Sequence, residues 1–188
     1  MDQHLKPLSR FLSLVLRHEP EKIGLKLDAE GWVDVAELLE KLQAAGKRVD
    51  RALLGRVVAE NDKQRFALSA DAQRIRANQG HSIEIDLALL PQTPPGALFH
   101  GTAQRNIQSI RATGLNAGER QHVHLSLDAV TAAKVGARHG TPMVLIVRTG
   151  EMAAAGHIFY VSANGVWLTE RVPPAFIDVH ATDDLAKD

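Results

Sequence analysis

Three prolines within six residues, in Pro91-Gln92-Thr93-Pro94-Pro95-Gly96, constrain this chain more than any other feature. Proline gives no N–H to a strand ladder and clashes with a helix interior, so neither element runs through this segment. It reads as a linker, and the 188 residues read as two lobes, each with a modest core.

Before the linker the pattern is helical. Leu5, Leu8, Leu12, Val15 and Leu16, widened by Phe11, make one apolar stripe over residues 5–18, with Ser9, Arg10 and Ser13 elsewhere and Pro20 as the stop. Arg17 and His18 fall in its last turn. There they either offset the negative end of the helix dipole or project together toward an anion. Asp34 and Asp50 are expected to cap a second helix through Gln43 and a third that Asn61-Asp62 breaks. Lys63–Leu68 alternates as a strand, with Gln73–Ala77 as its antiparallel partner. Three helices and a two-stranded wing outline a winged helix, a helix-turn-helix variant that handles nucleic acid. The following Arg76–Ser82 is either a simple turn or a loop whose backbone amides meet a ligand.

Beyond the linker the chain is strand-rich. Leu98-Phe99-His100-Gly101-Thr102 reads as a strand that leads into a helix, with Thr102 as its cap, Ile107, Ile110 and Leu115 inward, and Gly114 as its stop. Gly101 is expected to bring bare backbone close to a bound molecule. His122-Val123-His124-Leu125 alternates, so both imidazoles share a face opposite Val123 and Leu125. A helix is expected over 128–139, a central strand over Met143–Val147, a hairpin about Asn164-Gly165, a last strand over Ile177–His180, and a frayed tail from Asp183.

Composition excludes several functions. The chain has no cysteine, which removes disulfides, thiolate catalysis and cysteine metal sites. Its formal net charge is zero, which argues against coating nucleic acid by bulk charge. No apolar run approaches the ~20 residues of a membrane span, and Met1–Leu5 lacks the pattern of a signal peptide, so a cytoplasmic location is expected. There is no G-x-G-x-x-G, phosphate-loop GKS/T, G-x-S-x-G or H-E-x-x-H. No metal is expected, although His122-x-His124 could pair two imidazoles. What the chain does offer is Arg17, His18, Arg65 and Arg120 near element ends in both lobes. Guanidinium forks match phosphate oxygens through paired charge-assisted bonds.

Seven segments occur in order: Leu14-Val15-Leu16-Arg17-His18, Gly31-Trp32-Val33, Lys63-Gln64-Arg65-Phe66, Arg76-Ala77-Asn78-Gln79-Gly80-His81-Ser82, His100-Gly101-Thr102, Arg120-Gln121-His122-Val123-His124-Leu125-Ser126 and Asn164-Gly165-Val166-Trp167-Leu168. Together they resemble the RNA 2′-phosphotransferase family (KptA-type enzymes) from about Leu5 to Asp178. The resemblance implies an α+β chain, with a winged-helix RNA-binding lobe over 1–90 and a β-rich, ADP-ribosyltransferase-like NAD-binding lobe over 97–182. It implies a monomeric cytoplasmic transferase of RNA repair or tRNA splicing, with NAD as co-substrate, 2′-phosphorylated tRNA-like RNA as partner, and no membrane.

In the implied reaction the RNA 2′-phosphate displaces nicotinamide from NAD, giving a phospho-ADP-ribosylated RNA. The adjacent ribose 2″-hydroxyl then attacks the phosphorus. RNA leaves with a 2′-OH, and ADP-ribose 1″,2″-cyclic phosphate is the other product. By the same resemblance Arg17, His18, Arg65 and Arg120 are catalytic. Lys63, Arg76, Asn78 and His81 join Arg17, His18 and Arg65 on the RNA phosphate, and His100, Gly101, Thr102, His124 and Ser126 hold NAD. Typical ADP-ribosyltransferases carry a late catalytic glutamate. Here Glu170 falls in a turn after Val166-Trp167-Leu168, and an already ionised phosphate nucleophile needs no base. Two other readings stay open: an ADP-ribosyltransferase that caps terminal phosphates of RNA or DNA, and a non-catalytic winged-helix RNA binder.

Overall fold

The computed structural model describes residues 3–61 and 63–180. Asp62 of the expected breaker and the tail expected from Asp183 lie outside the described residues. The chain divides after Leu89 into two compact units, each with its own apolar cluster.

In the first unit α1 (Lys6–Arg17) buries Leu12, Val15 and Leu16 completely. Ser9, expected on the open side, is buried too, because the Asn61 amide donates to its hydroxyl at 3.0 Å. The helix stops at Arg17, where the His18 N–H returns to the Leu14 carbonyl, and Pro20 opens a 3-10 turn. After β1 (Val33–Asp34), the Asp34 carboxylate accepts from the Ala36 and Glu37 N–H groups and starts α2 (Val35–Ala44). Asp50 accepts from the Leu53 N–H and starts α3 (Arg51–Ala59). Both caps satisfy donors that a helix start leaves open.

The expected strand over Lys63–Leu68 is shorter. Strand β2 is Phe66–Leu68, because Asn61 folds the preceding residues into a turn. Its side chain accepts from the Lys63 N–H, its carbonyl accepts from the Gln64 N–H, and Gln64 takes φ +42°. Nor is the wing two-stranded. Strand β3 (Arg74–Ala77) pairs antiparallel with β2 on one side and β1 on the other, in the order β1-β3-β2.

The second unit holds two three-stranded antiparallel sheets and one strand pair. Strand β7 (Pro142–Val147) is central between β4 (Leu98–Ala103) and β11 (Ile177–His180), as its continuous apolar run implies. Strand β9 (Trp167–Thr169) lies between β6 (Val123–Leu125) and β8 (Phe159–Val161), and Gly165 takes φ +76° in the hairpin turn. Phe99 and Ser126 exchange both backbone bonds and so tie β4 to the end of β6. A pair that the sequence pattern did not reveal joins β5 (Leu115–Asn116) to β10 (Arg171–Val172).

Two short helices complete this unit with α4 (Ile107–Thr113). They are α5 (Ala129–Gly136), capped by Asp128, and α6 (Thr149–Ala154). The expected extension of α5 to 139 is absent: Arg138 and His139 bond back three residues rather than four, which tightens the end into a turn.

Three local expectations change. Thr102 caps no helix; it ends within β4, and its hydroxyl accepts from the Asn106 amide at 3.1 Å. Gly101 meets α5 rather than open space, since a Cβ there would sit 1.7 Å from the Ala132 carbonyl oxygen. The 91–96 linker is strapped to the second unit. Gln92 N–H donates to the Phe159 carbonyl, the Thr149 hydroxyl to that of Pro95, and Gly150 N–H to that of Gly96.

Candidate functional site

In the first unit, four of the residues singled out above line one cleft of about 470 Å³: Arg17, His18, Lys63 and Arg65. Lys6 and Arg10 also line it, along with Ser9, Ser13 and Leu14 from α1. Among the described residues no carboxylate lines this wall.

The cleft is built by local bonds that fix each cation. Arg17 is 9% exposed, and its Nη2 donates to the Arg65 carbonyl at 3.3 Å. Arg65 Nη1 donates to the Asn61 side-chain oxygen at 3.4 Å, and that amide also holds Ser9 and the Lys63 N–H. Asn61, itself 2% exposed, thus organises α1 and the turn before β2 together. In the sequence pattern it stands only as a helix breaker. The run of polar residues from Asn61 to Arg65 is the signal the sequence holds, but the partner of Asn61, Ser9, lies 52 residues away.

The Arg76–Ser82 segment is a clamp behind this wall. Ser82 N–H donates to the Arg17 carbonyl and Asn78 N–H to that of Arg65. The Ser82 hydroxyl pairs with His18 Nδ1 at 2.9 Å, and the Asn78 amide donates to the Gln64 carbonyl. Arg76, Asn78 and His81 are not among the residues that line the cleft. The Arg76 guanidinium instead lies 4.6 Å over the Trp32 ring, near Glu30. His81 is 1% exposed. Burial first, then the positive charges of Arg17, His18 and Arg76, push its pKa down to about 4, so the ring is neutral at physiological pH.

In the second unit the remaining candidates form a chain of contacts. His100 Nδ1–H donates to the His124 carbonyl at 3.0 Å. Burial lowers the His100 pKa, so its Nε2 is left as an acceptor. Arg120, exposed in the loop before β6, approaches His124 Nδ1 at 2.9 Å. A guanidinium can only donate, so His124 accepts there and its ring proton is on Nε2. Val123 and Leu125 are buried on the opposite face of β6, while His122 lies outside the strand with its ring edge on Tyr160. Ser126 holds Phe99 through its backbone. Among the described residues no three acidic or histidine side chains gather as a metal-ion group, and no helix is long and apolar enough to cross a membrane.

Residues 2–171 match the model of a family described as RNA 2′-phosphotransferase, Tpt1 / KptA family. The chain is similar to a probable RNA 2′-phosphotransferase of Agrobacterium fabrum, 56% identical over 180 residues that cover 96% of this chain and 97% of that one. It is similar to another of Hahella chejuensis, 54% identical over 179 residues, with 95% and 96% covered. A third, of Escherichia coli, is 52% identical over 178 residues, with 94% and 97% covered.

Proposed function

The chain belongs to the RNA 2′-phosphotransferase, Tpt1 / KptA family, and from that premise we propose that it moves an internal RNA 2′-phosphate onto NAD. The observation that carries this reading is the cleft in which Arg17, His18, Lys63 and Arg65 converge. Guanidinium, imidazole and ammonium donors gathered on one cleft suit a doubly charged phosphate monoester.

Arg17 and Arg65 orient the nucleophilic phosphate and then stabilise charge on the five-coordinate phosphorus. His18, with Nδ1 held by Ser82, offers Nε2–H to a phosphate oxygen, and it does so best as the cation. Lys63 adds a flanking positive charge. Arg76, Asn78 and His81 serve this site as supports rather than contacts.

On this reading residues 1–90 are a winged-helix RNA-binding lobe, and 97–182 an ADP-ribosyltransferase-like lobe for the co-substrate. NAD supplies the ribosyl carbon that is attacked and the nicotinamide that leaves. The donor set fits a ribose and its carboxamide side. His100 Nε2 accepts from a hydroxyl or N–H, and Thr102, His124 and Ser126 add short polar groups on neighbouring strands. Gly101 is accounted for by the helix against it, so the weight falls on His100 and Thr102. Arg120, implied as catalytic by the family resemblance, is held in its own unit against His124 Nδ1.

In the second displacement the P–O2′ bond breaks, the 2″-hydroxyl proton goes to the departing 2′-oxygen, and ADP-ribose 1″,2″-cyclic phosphate remains. The enzyme acts as a cytoplasmic monomer on tRNA-like RNA. The test is a single-turnover assay with labelled NAD and RNA carrying one internal 2′-phosphate. Nicotinamide and cyclic phosphate should appear together. ADP-ribose that stays on the RNA would favour the phosphate-capping reading. RNA binding without nicotinamide release, and with no rise in melting temperature on adding NAD, would leave a non-catalytic RNA binder.

A further inference from the structure

The cleft continues along α1 past the residues assigned above. At about 100° per residue Lys6, Arg10, Ser13 and Arg17 share one narrow sector of the helix, turned away from Leu12, Val15 and Leu16. With a rise of about 1.5 Å per residue, Arg10 stands about 10 Å and Lys6 about 16 Å from Arg17 along the axis. Lys6 and Arg10 are exposed on the cleft wall, and among the described residues neither makes an ion pair or hydrogen bond. Helix α1 contains no acidic residue at all. A lysine in the first turn also opposes the positive end of the helix dipole, so its position does not serve the helix.

We propose that Lys6 and Arg10 form a track for the backbone phosphates of the RNA that flank the 2′-phosphorylated nucleotide. This rests on the phosphotransferase reading and adds to it that the enzyme grips a stretch of polynucleotide rather than a lone phosphate. A stacked strand advances about 3.4 Å per nucleotide, so Arg10 lies about three nucleotides and Lys6 about five from the reacting one. No Phe, Tyr or Trp and no side-chain amide lines this wall, and His18 stands at its reacting end, so the track reads backbone and is indifferent to base sequence.

The test compares a dinucleotide and a decanucleotide, each with one internal 2′-phosphate, on wild type, Lys6→Ala, Arg10→Ala, the double variant and Arg10→Lys. The quantity read is the ratio of kcat/KM for the long RNA to that for the short one. Wild type should favour the decanucleotide. The double variant should lose about tenfold of that preference, chiefly through KM, and its log KM against log salt slope should fall by about 1.4, near 0.7 per lost phosphate contact. Arg10→Lys should keep the preference, because a point charge suffices for a backbone phosphate.

An unchanged ratio, an equal loss on both RNAs, or a Lys6→Ala melting temperature several degrees below wild type would overturn the track. If wild type turns over neither RNA, the phosphotransferase reading falls first and takes the track with it.

Discussion

Arg17 shows how one residue can satisfy two demands. It ends α1, where a cation offsets the dipole, and it lines the basic cleft, where its Nη2 is tied to the Arg65 carbonyl. Replacing Arg65 or Arg17 by Ala should lower single-turnover rates by about 10²–10³-fold, the range seen when one charge-stabilising donor is removed. Arg17→Lys should not restore the rate, because an ammonium cannot present the two-pronged donor. Rapid-quench kinetics, with melting temperatures within a few degrees of wild type, checks both.

Asn61 should behave differently. It is almost fully buried and bonds Ser9, Lys63 and Arg65, so Asn61→Ala leaves several groups unsatisfied. A stability loss of about 1–3 kcal/mol, measured by urea unfolding, should accompany its loss of activity. The sequence revealed Arg17, His18 and Arg65 through their motifs. It hid Ser9 and Asn61, whose roles exist only once α1 meets the turn before β2.

Among elements, those defined by local chemistry were legible. Asp34, Asp50 and Asp128 each cap the helix that follows, Gly165 turns the β8–β9 hairpin, and the apolar run at Met143–Val147 is the central strand β7. Elements defined by a distant partner were not. The alternation of Lys63–Leu68 covers a turn wound on Asn61, and the β5–β10 pair joins residues more than fifty apart in sequence. Gly101 belongs to this second kind: its sequence context suggested a ligand, whereas its neighbour is the backbone of α5. A Cβ would fall 1.7 Å from the Ala132 carbonyl, and one on Gly136 would fall 2.6 Å from that of Thr102. Strand β4 and α5 therefore touch backbone to backbone. Gly101→Ala should cost about 3 kcal/mol, as overpacking against rigid atoms does, and should broaden or abolish the unfolding of the second unit. Gly55, within α3 with nothing inside 4 Å of its added Cβ, is the matched control. Gly55→Ala should instead stabilise by about 0.5–1 kcal/mol.

At the scale of the molecule, a zero net charge means that RNA affinity comes from a local concentration of cations. Acid is the condition that strains the fold. His81, His100 and His122 all have lowered pKa values, with burial as the largest cause in each. Asp28, Asp71 and Asp128 are lowered as well, through hydrogen bonds to backbone or side-chain donors. Each of these groups binds protons less readily folded than unfolded, so each contributes stability that is present above its unfolded pKa and is lost as pH falls. The histidine share is fully present above pH 6.5 and drains below it, and the aspartate share follows below pH 3.8.

His81 is the largest single lever with a defined window. Its pKa drops from 6.5 to about 4, which corresponds to about 3 kcal/mol at neutral pH that disappears between those two values. The two apolar clusters share no residue, so hydrogen exchange at the core amides of each reports on that unit by itself. Such exchange in wild type from pH 7 to pH 4 should show the first unit losing stability steeply below 6.5. In His81→Gln, which carries no titrating ring, that slope should flatten while the second unit, with His100 and His122 intact, keeps its own. Equal slopes for the first unit in the two proteins would mean that His81 takes up its proton without cost, and that the charge of Arg17, His18 and Arg76 around it is not felt.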